Sequence, residues 1–175
     1  MARKLQVILG DLSYTNSVSN VDSAIPLNIA YLASYAGEKF GNECDFHLFK
    51  DPKKLIDLVK VSSPDVLGLS NFYWHRNLNL AVAEIVKKIS PNTIVIIGGP
   101  NIDTDSAVQY EVHQSYLGNC DYLVSGEGEI PFCNILETKL SGNFRKIEAI
   151  ARRRGVPTLS EFFIEKFFYY FSLIT

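Results

Sequence analysis

Gly98-Gly99-Pro100-Asn101 follows directly on the β-branched run Thr93 to Ile97, and these are the residue types best suited to holding a ligand. Two glycines at a strand end leave no side chain in the way, so a flat or elongated molecule can lie against bare backbone and hydrogen-bond to it. Ser70-Asn71, after the run Asp65 to Leu69, adds a small hydroxyl at what should be the same level on the neighbouring strand. Gly126-Glu127-Gly128-Glu129 repeats the design after Cys120 to Val124. Glu129 is accounted for by the positive end of the helix it opens, whereas Glu127 between two glycines is not. A lone Gly-Gly more often only makes a turn. Two such gaps on one rim favour a ligand.

The first strand end supplies other chemistry. Leu5 to Leu9 leads to Gly10-Asp11 and then to the hydroxyl-rich Ser13-Tyr14-Thr15-Asn16-Ser17. A flavin phosphate loop of this kind must open straight into a helix, so that backbone N–H groups cradle the phosphate. Here the polar stretch runs on to Ile25 before Pro26, which counts against FMN. A phosphoacceptor receiver needs clustered acids after strand one, an Asp ending strand three and a Lys ending strand five. The chain has Asp11 alone, Ser70 and Ser125. His75, within Tyr73-Trp74-His75-Arg76-Asn77, reads as a hydrogen-bonding surface residue of a polar loop in preference to a metal ligand.

Composition narrows the classes further. A net charge of −2 and a pI near 5.9 give no basic field for nucleic acid or acidic membrane. Cys44, Cys120 and Cys133 are odd in number and far apart, which points to free thiols in a cytoplasmic setting and to no disulfide framework or metal knuckle. Arg3 and Lys4 precede an apolar run that Asp11 ends too early for a secretion signal.

The elements that position these residues alternate in type. At 175 residues and 47% apolar content the chain suits one well-filled core. Strands are predicted at Leu5 to Leu9, Cys44 to Phe49, Asp65 to Ser70, Thr93 to Ile97 and Cys120 to Ser125. Helices are predicted from Pro26 to Phe40, from Asp51-Pro52 to Ser62-Ser63-Pro64, from Leu78 to Ile89, from Thr104 to Tyr116 and from Glu129 to Leu140. The third helix should bury Leu78, Val82, Ile85, Val86 and Ile89. Connections too long for hairpins make this an α/β fold, a flavodoxin-like (Rossmann-type) five-stranded parallel sheet of order 2-1-3-4-5 with helices on both faces. Residues 1–142 form this domain, 143–159 an extension toward a second domain, and 160–175 a tail in which Phe and Tyr predominate. The tail is too short and too charged to span a membrane.

Three stretches together carry a resemblance. Pro26-Leu27-Asn28-Ile29-Ala30-Tyr31-Leu32-Ala33, the strand end Ile97-Gly98-Gly99-Pro100-Asn101, and Asp121 to Phe132 with its Gly126-Glu127-Gly128-Glu129 resemble the N-terminal cobalamin-binding domain of the cobalamin-dependent radical SAM enzymes. The likeness runs in order from about residue 5 to 159. It implies cobalamin, as methylcobalamin or hydroxocobalamin, with the corrin over the strand ends and its dimethylbenzimidazole arm beside Ser70 and Gly98-Gly99. The cofactor-binding set it implies is Ser13, Tyr14, Thr15, Asn16, Ser70, Asn71, Tyr73, Trp74, Gly98, Gly99, Pro100, Asn101, Gly126, Glu127 and Gly128. No residue is assigned to catalysis or to metal ligation. The DxHxxG loop of many cobalamin domains is replaced by Asp11-Leu12-Ser13-Tyr14-Thr15-Asn16, so no lower histidine ligand is expected from it.

The CxxxCxxC that would hold an iron–sulfur cluster is missing too, and Cys120 and Cys133 are too distant to replace it. S-adenosylmethionine and a 4Fe-4S cluster therefore belong only to an intact parent enzyme, and no self-sufficient activity is expected. The composition breaks at Ser160, where the family would continue into a linker and barrel. The expectation is a truncated product whose tail is a shifted reading frame, a greasy helix or a self-association surface. The alternatives are an FMN-binding domain and an inert fragment with no ligand.

Overall fold

A computed structural model describes residues 3–14, 25–103 and 105–142. Its strands are β1 (Leu5–Gly10), β2 (Cys44–Phe49), β3 (Val66–Ser70), β4 (Ile94–Gly98) and β5 (Tyr122–Val124). Its helices are α1 (Leu27–Phe40), α2 (Pro52–Ser62), α3 (Arg76–Ile89), α4 (Ser106–Ser115) and α5 (Glu129–Ser141). All strand pairs are parallel and the order is β2-β1-β3-β4-β5, the flavodoxin-like arrangement that the alternating pattern predicts.

Local chemistry sets the helix ends. Asp51 Oδ1 accepts from the backbone N–H of Lys53 at 2.8 Å and of Lys54 at 3.3 Å, while Pro52 fills a first-turn position that needs no N–H. Asp105 caps α4 in the same way through Ala107 and Val108. Gly41 stops α1 with φ near 52°, a backbone state that glycine adopts without a Cβ penalty.

The sheet divides two apolar layers. Ile8, Leu67, Val95, Ile97 and Leu123 pack with Leu55 and Val59 of α2 and Val82, Ala83 and Val86 of α3. On the opposite face Val7, Leu9, Val66, Ile96 and Val124 pack with Ile29, Ala36 and Phe40 of α1 and Phe132, Ile135 and Leu136 of α5. Each Val, Leu, Ile or Phe among them stabilises the fold by roughly 1.5–3 kcal/mol when fully buried. The central strand β3 is buried along all of Val66–Ser70.

Three expectations need correction. The buried face of α3 is Asn79, Val82, Ala83 and Val86, while Ile85 and Ile89 are 38% and 37% exposed. The helix is rotated because Asn79 Nδ2 donates to the Ser70 carbonyl at 2.9 Å, tying α3 to the end of β3. β5 is shorter than predicted: Asp121 Oδ2 accepts from Val95 N–H at 2.6 Å and so takes the place of a strand carbonyl at the start of this edge. β1 in turn runs one residue further, through Gly10. The extension 143–159, the tail 160–175, Thr15, Asn16 and Thr104 lie outside the described residues. Among the described residues no helix is long and apolar enough to cross a membrane.

Candidate functional site

At the carboxyl ends of β3, β4 and β5 the α1/α5 face of the sheet opens into a cavity of about 250 Å³. Strand register explains its floor. Leu9, Gly68 and Ile96 stand side by side in one row, and Ser70 and Gly98 pair in the next, with Val124 beside Gly98. Ile29 and Leu32 of α1 and Phe132 of α5 wall it, and Phe72, Pro100, Gly126, Glu127, Gly128 and Glu129 line it from the rim. Of the predicted site residues, Ser70, Gly98, Gly99, Pro100, Gly126, Glu127 and Gly128 meet here.

The glycines differ in what they do. A Cβ at Gly68 would lie 2.7 Å from Leu9 Cδ2, so this glycine in mid-strand keeps the floor open. Gly68 is absent from the binding set that the resemblance implies, although a glycine inside an apolar strand is a signal of close approach. Gly98 is tight but regular, its would-be Cβ 3.3 Å from Val124 Cβ. Gly99 answers to the chain itself: φ is near 131°, and a Cβ there would sit 3.0 Å from Asn71 N and 3.1 Å from Asn71 O. The space beside Gly99 is thus taken by the β3 loop.

That loop is stitched to its neighbour by backbone. Asn71 N–H donates to the Gly98 carbonyl at 2.7 Å, and Asn101 N–H donates to the Asn71 carbonyl at 3.1 Å. Asn71 is fully buried, its Oδ1 3.4 Å from Asn79 Nδ2, so it supports the rim from beneath. Tyr73 and Trp74 are 82% and 62% exposed on the same loop, with Trp74 stacked on Phe72 at 5.2 Å between ring centroids. Ser13 N–H donates to the Lys50 carbonyl, which holds Ser13 over the end of β2, and Tyr14 is exposed beside it.

His75 is buried, not on the surface as its polar neighbours suggested. Its ring meets Phe72 and Trp74 edge-on, and Nδ1 stands 3.8 Å from Asp11 Oδ1. Asp11 in turn lies 3.4 Å from Asn28 Nδ2, which also donates to Ser70 Oγ at 2.6 Å. Hydrogen bonds therefore link Asp11 through Asn28 to Ser70 at the cavity floor, while His75 Nδ1 stands near Asp11 without a hydrogen-bond partner. Asn28, at the start of α1, escaped the predicted set because its partner is distant in sequence.

The cysteines play no part in the cavity wall. All three thiols are free and buried, and desolvation pushes each of them up, that of Cys44 to about 11. They stay protonated and make poor metal ligands. No group of three or more His, Cys, Asp or Glu residues with metal-holding geometry exists among the described residues.

Residues 18–136 match the family of the B12 binding domain. The chain belongs to that family. This B12 binding domain is 32% identical over 144 residues to the cobalamin-dependent radical SAM methyltransferase TokK of Streptomyces tokunonensis. It is 30% identical over 142 residues to the 2-(S-pantetheinyl)-carbapenam-3-carboxylate methyltransferase of Streptantibioticus cattleyicolor. Each match covers 77% of this chain and 20% of the relative, so the B12 binding domain spans about a fifth of the length of these curated relatives and resembles their N-terminal part.

Solved structures share the fold. A cobalamin-binding protein from Desulfitobacterium hafniense superposes with a TM-score of 0.54 at 18% identity, over 76% of this chain and 57% of that one. The receiver domain of NarL from Mycobacterium tuberculosis gives 0.50 at 14% identity, over 81% and 99%.

The cavity fits one part of cobalamin. Pockets for drug-sized ligands run to about 300–1,000 Å³, so 250 Å³ is room for a small planar group and not for a whole corrinoid. A Cβ at Gly68 would reduce that space, and Ser70 is the one buried hydroxyl in the lining.

Proposed function

We propose that this chain is a cobalamin-holding module of a radical SAM methyltransferase-like protein, with no catalysis of its own. The observation that carries the reading is the cavity under the strand ends, where Ser70 and Gly98 are paired and Gly68 lies one row below. The nucleotide arm of cobalamin enters this space, and the corrin lies across the rim. Cobalamin supplies, when bound, a cobalt able to carry a methyl group.

The chain's own residues bind and orient. Leu9, Ile96, Val124 and Phe132 give the arm apolar contact and exclude water from it. Glu127 accepts hydrogen bonds from the amide side groups that fringe a corrin, and Tyr73 and Trp74 offer apolar surface with a polar tip. Ser13, Tyr14, Pro100, Asn101, Gly126 and Gly128 complete the rim, with Asn71 and Gly99 holding its backbone in place, and Thr15 and Asn16 join the binding set by the sequence resemblance alone. The loop after β1 supplies no histidine, and the aromatic packing of His75 favours a cofactor held without a lower histidine ligand. Residues 1–142 form the binding unit in this reading, and 143–159 lead away from it. The chain has no CxxxCxxC, so radical chemistry falls to another part of a parent enzyme.

The test is retention. Purified protein is mixed with hydroxocobalamin and passed over a sizing column, with FMN in a parallel run. Corrin absorbance should co-elute with the protein. Elution of bare protein, or retention of FMN in its place, overturns the reading.

A further inference from the structure

Four buried side-chain polar atoms lack a hydrogen-bond partner among the described residues, and three of them fall between Asn71 and Asn79: Asn71 Nδ2, His75 Nδ1 and Asn79 Oδ1. Native interiors leave few such groups unpaired, because each carries a desolvation cost. Asn71 and Asn79 are fully buried and His75 is 6% exposed, and none of the three lines the apolar cavity. His75 and Asn79 are four positions apart at the start of α3, so they share a face. The orientation of each amide follows from its partner. Asn79 Nδ2 donates to the Ser70 carbonyl at 2.9 Å, which leaves Oδ1 as its free end. Asn71 Oδ1 stands 3.4 Å from that same nitrogen, so Nδ2 is the free end of Asn71, and reversing it would set two N–H groups against each other. His75 Nδ1 is 3.8 Å from Asp11 Oδ1, beyond hydrogen-bond reach and close enough for one small molecule to touch both.

We propose that Asn71, His75 and Asn79 form a site for internal water beneath the rim loop, reaching to Asp11 at the end of β1. The free ends decide the class of ligand. Asn71 Nδ2 only donates, Asn79 Oδ1 and the Asp11 carboxylate only accept, and the imidazole Nδ1 takes either role by tautomer. A bare cation would meet the N–H groups of Asn71, and an anion would meet Asp11 and Asn79 Oδ1. Water both donates and accepts, and two to four polar partners of this kind are what hold it in an interior. Residues this deeply buried admit nothing much larger. Water here ties the loop to β1 as well as to α3, and so sets the posture of Tyr73 and Trp74, which are exposed on that loop. The inference is independent of the cobalamin reading and concerns the protein before any cofactor binds.

The experiment uses the full chain without cofactor. Laboratory-frame and rotating-frame NOE spectra tell a bound water from proton exchange by the sign of the water cross-peak. Cross-peaks of the bound-water sign are expected at the Asn71 side-chain amide and at the His75 ring, and an Asn71 amide without one overturns the proposal. His75→Phe keeps a buried ring and removes Nδ1. Loss of a nitrogen bound to water should lower the urea midpoint by roughly 0.5 M. A midpoint that holds or rises would mean the nitrogen had no partner to lose, and overturns the part assigned to His75. His75→Gln, whose amide is able to meet the water, should recover some of that fall together with the Asn71 cross-peak, and a Gln variant no better than the Phe variant counts against the hydrogen-bonding role. Titration with Mg²⁺ and, separately, with inorganic phosphate should leave the Asn71, His75 and Asn79 resonances in place. Saturable shifts there with either ion mark an ion site and overturn the assignment to water.

Discussion

Asn28 Nδ2 donates to Ser70 Oγ at 2.6 Å and so joins the first turn of α1 to the last residue of β3, 42 positions away. Both residues line the cavity, so the bond links its helix wall to its strand floor. Asn28→Ala should cost about 0.5–1.5 kcal/mol, the usual net value of a hydrogen bond, and should weaken hydroxocobalamin retention several-fold. Urea unfolding followed by circular dichroism gives the first quantity and equilibrium dialysis the second. Loss of stability with unchanged retention would show that the bond serves the fold alone.

Gly68 gives a sharper separation of fold from site. In Gly68→Ala the new methyl would lie 2.7 Å from Leu9 Cδ2, the far end of a fully buried side chain that must shift. The expected destabilisation is about 1–3 kcal/mol, as for other overpacked cores. Hydroxocobalamin binding should fall more than stability does, because the methyl also enters the cavity floor. Made in a Leu9→Ala background, the same methyl should cost much less than in the native chain, because the atom it meets is gone.

Gly99 and Gly126 both have positive φ, near 131° and 71°, yet their substitutions should differ. At Gly99 an alanine meets both the strained backbone state and the Asn71 main chain, which cannot give way as a side chain does. A loss of about 2–4 kcal/mol is expected, combining local strain with overpacking. Gly126→Ala has open space around it and should cost only the left-handed penalty of about 1–2 kcal/mol. Equal losses in thermal or urea unfolding would mean that the Asn71 contact is not what restricts Gly99.

Stability should fall on the alkaline side. Burial, with a smaller contribution from Glu43, raises the Cys44 thiol to about 11, and Cys133 and Cys120 are raised in the same direction. An acid held neutral in the fold and able to ionise when unfolded contributes fully below the unfolded thiol value of about 9. That contribution is lost as pH climbs from there toward about 11. For Cys44 alone the loss is roughly 2 to 3 kcal/mol. Urea midpoints at successive pH values should decline through this window, and Cys44→Ala should flatten part of the slope. A midpoint independent of pH would contradict the burial of the thiols.

The order of strands and helices was legible because each apolar run ends in a distinct breaker: Gly41-Asn42, Ser62-Ser63-Pro64, Ser90-Pro91-Asn92. Such signals act over a few residues and survive without tertiary contacts. The rim residues Ser70, Gly98 and Gly126 to Gly128 were legible for the same reason, and the family likeness of those stretches agrees with the B12 binding domain match.

The sequence by itself therefore determined the element types, the parallel sheet and which strand ends carry small residues, since these follow from local propensity and periodicity. Only the tertiary structure decided how those ends are used. It assigned Gly99 to its contact with Asn71, gave Gly68 the cavity floor, turned α3 so that Asn79 is buried, drew His75 inward and placed Asn28 on Ser70. Each of these depends on atoms far apart in the chain meeting at a few ångströms, and strand register and helix rotation set such meetings only once the two layers have packed.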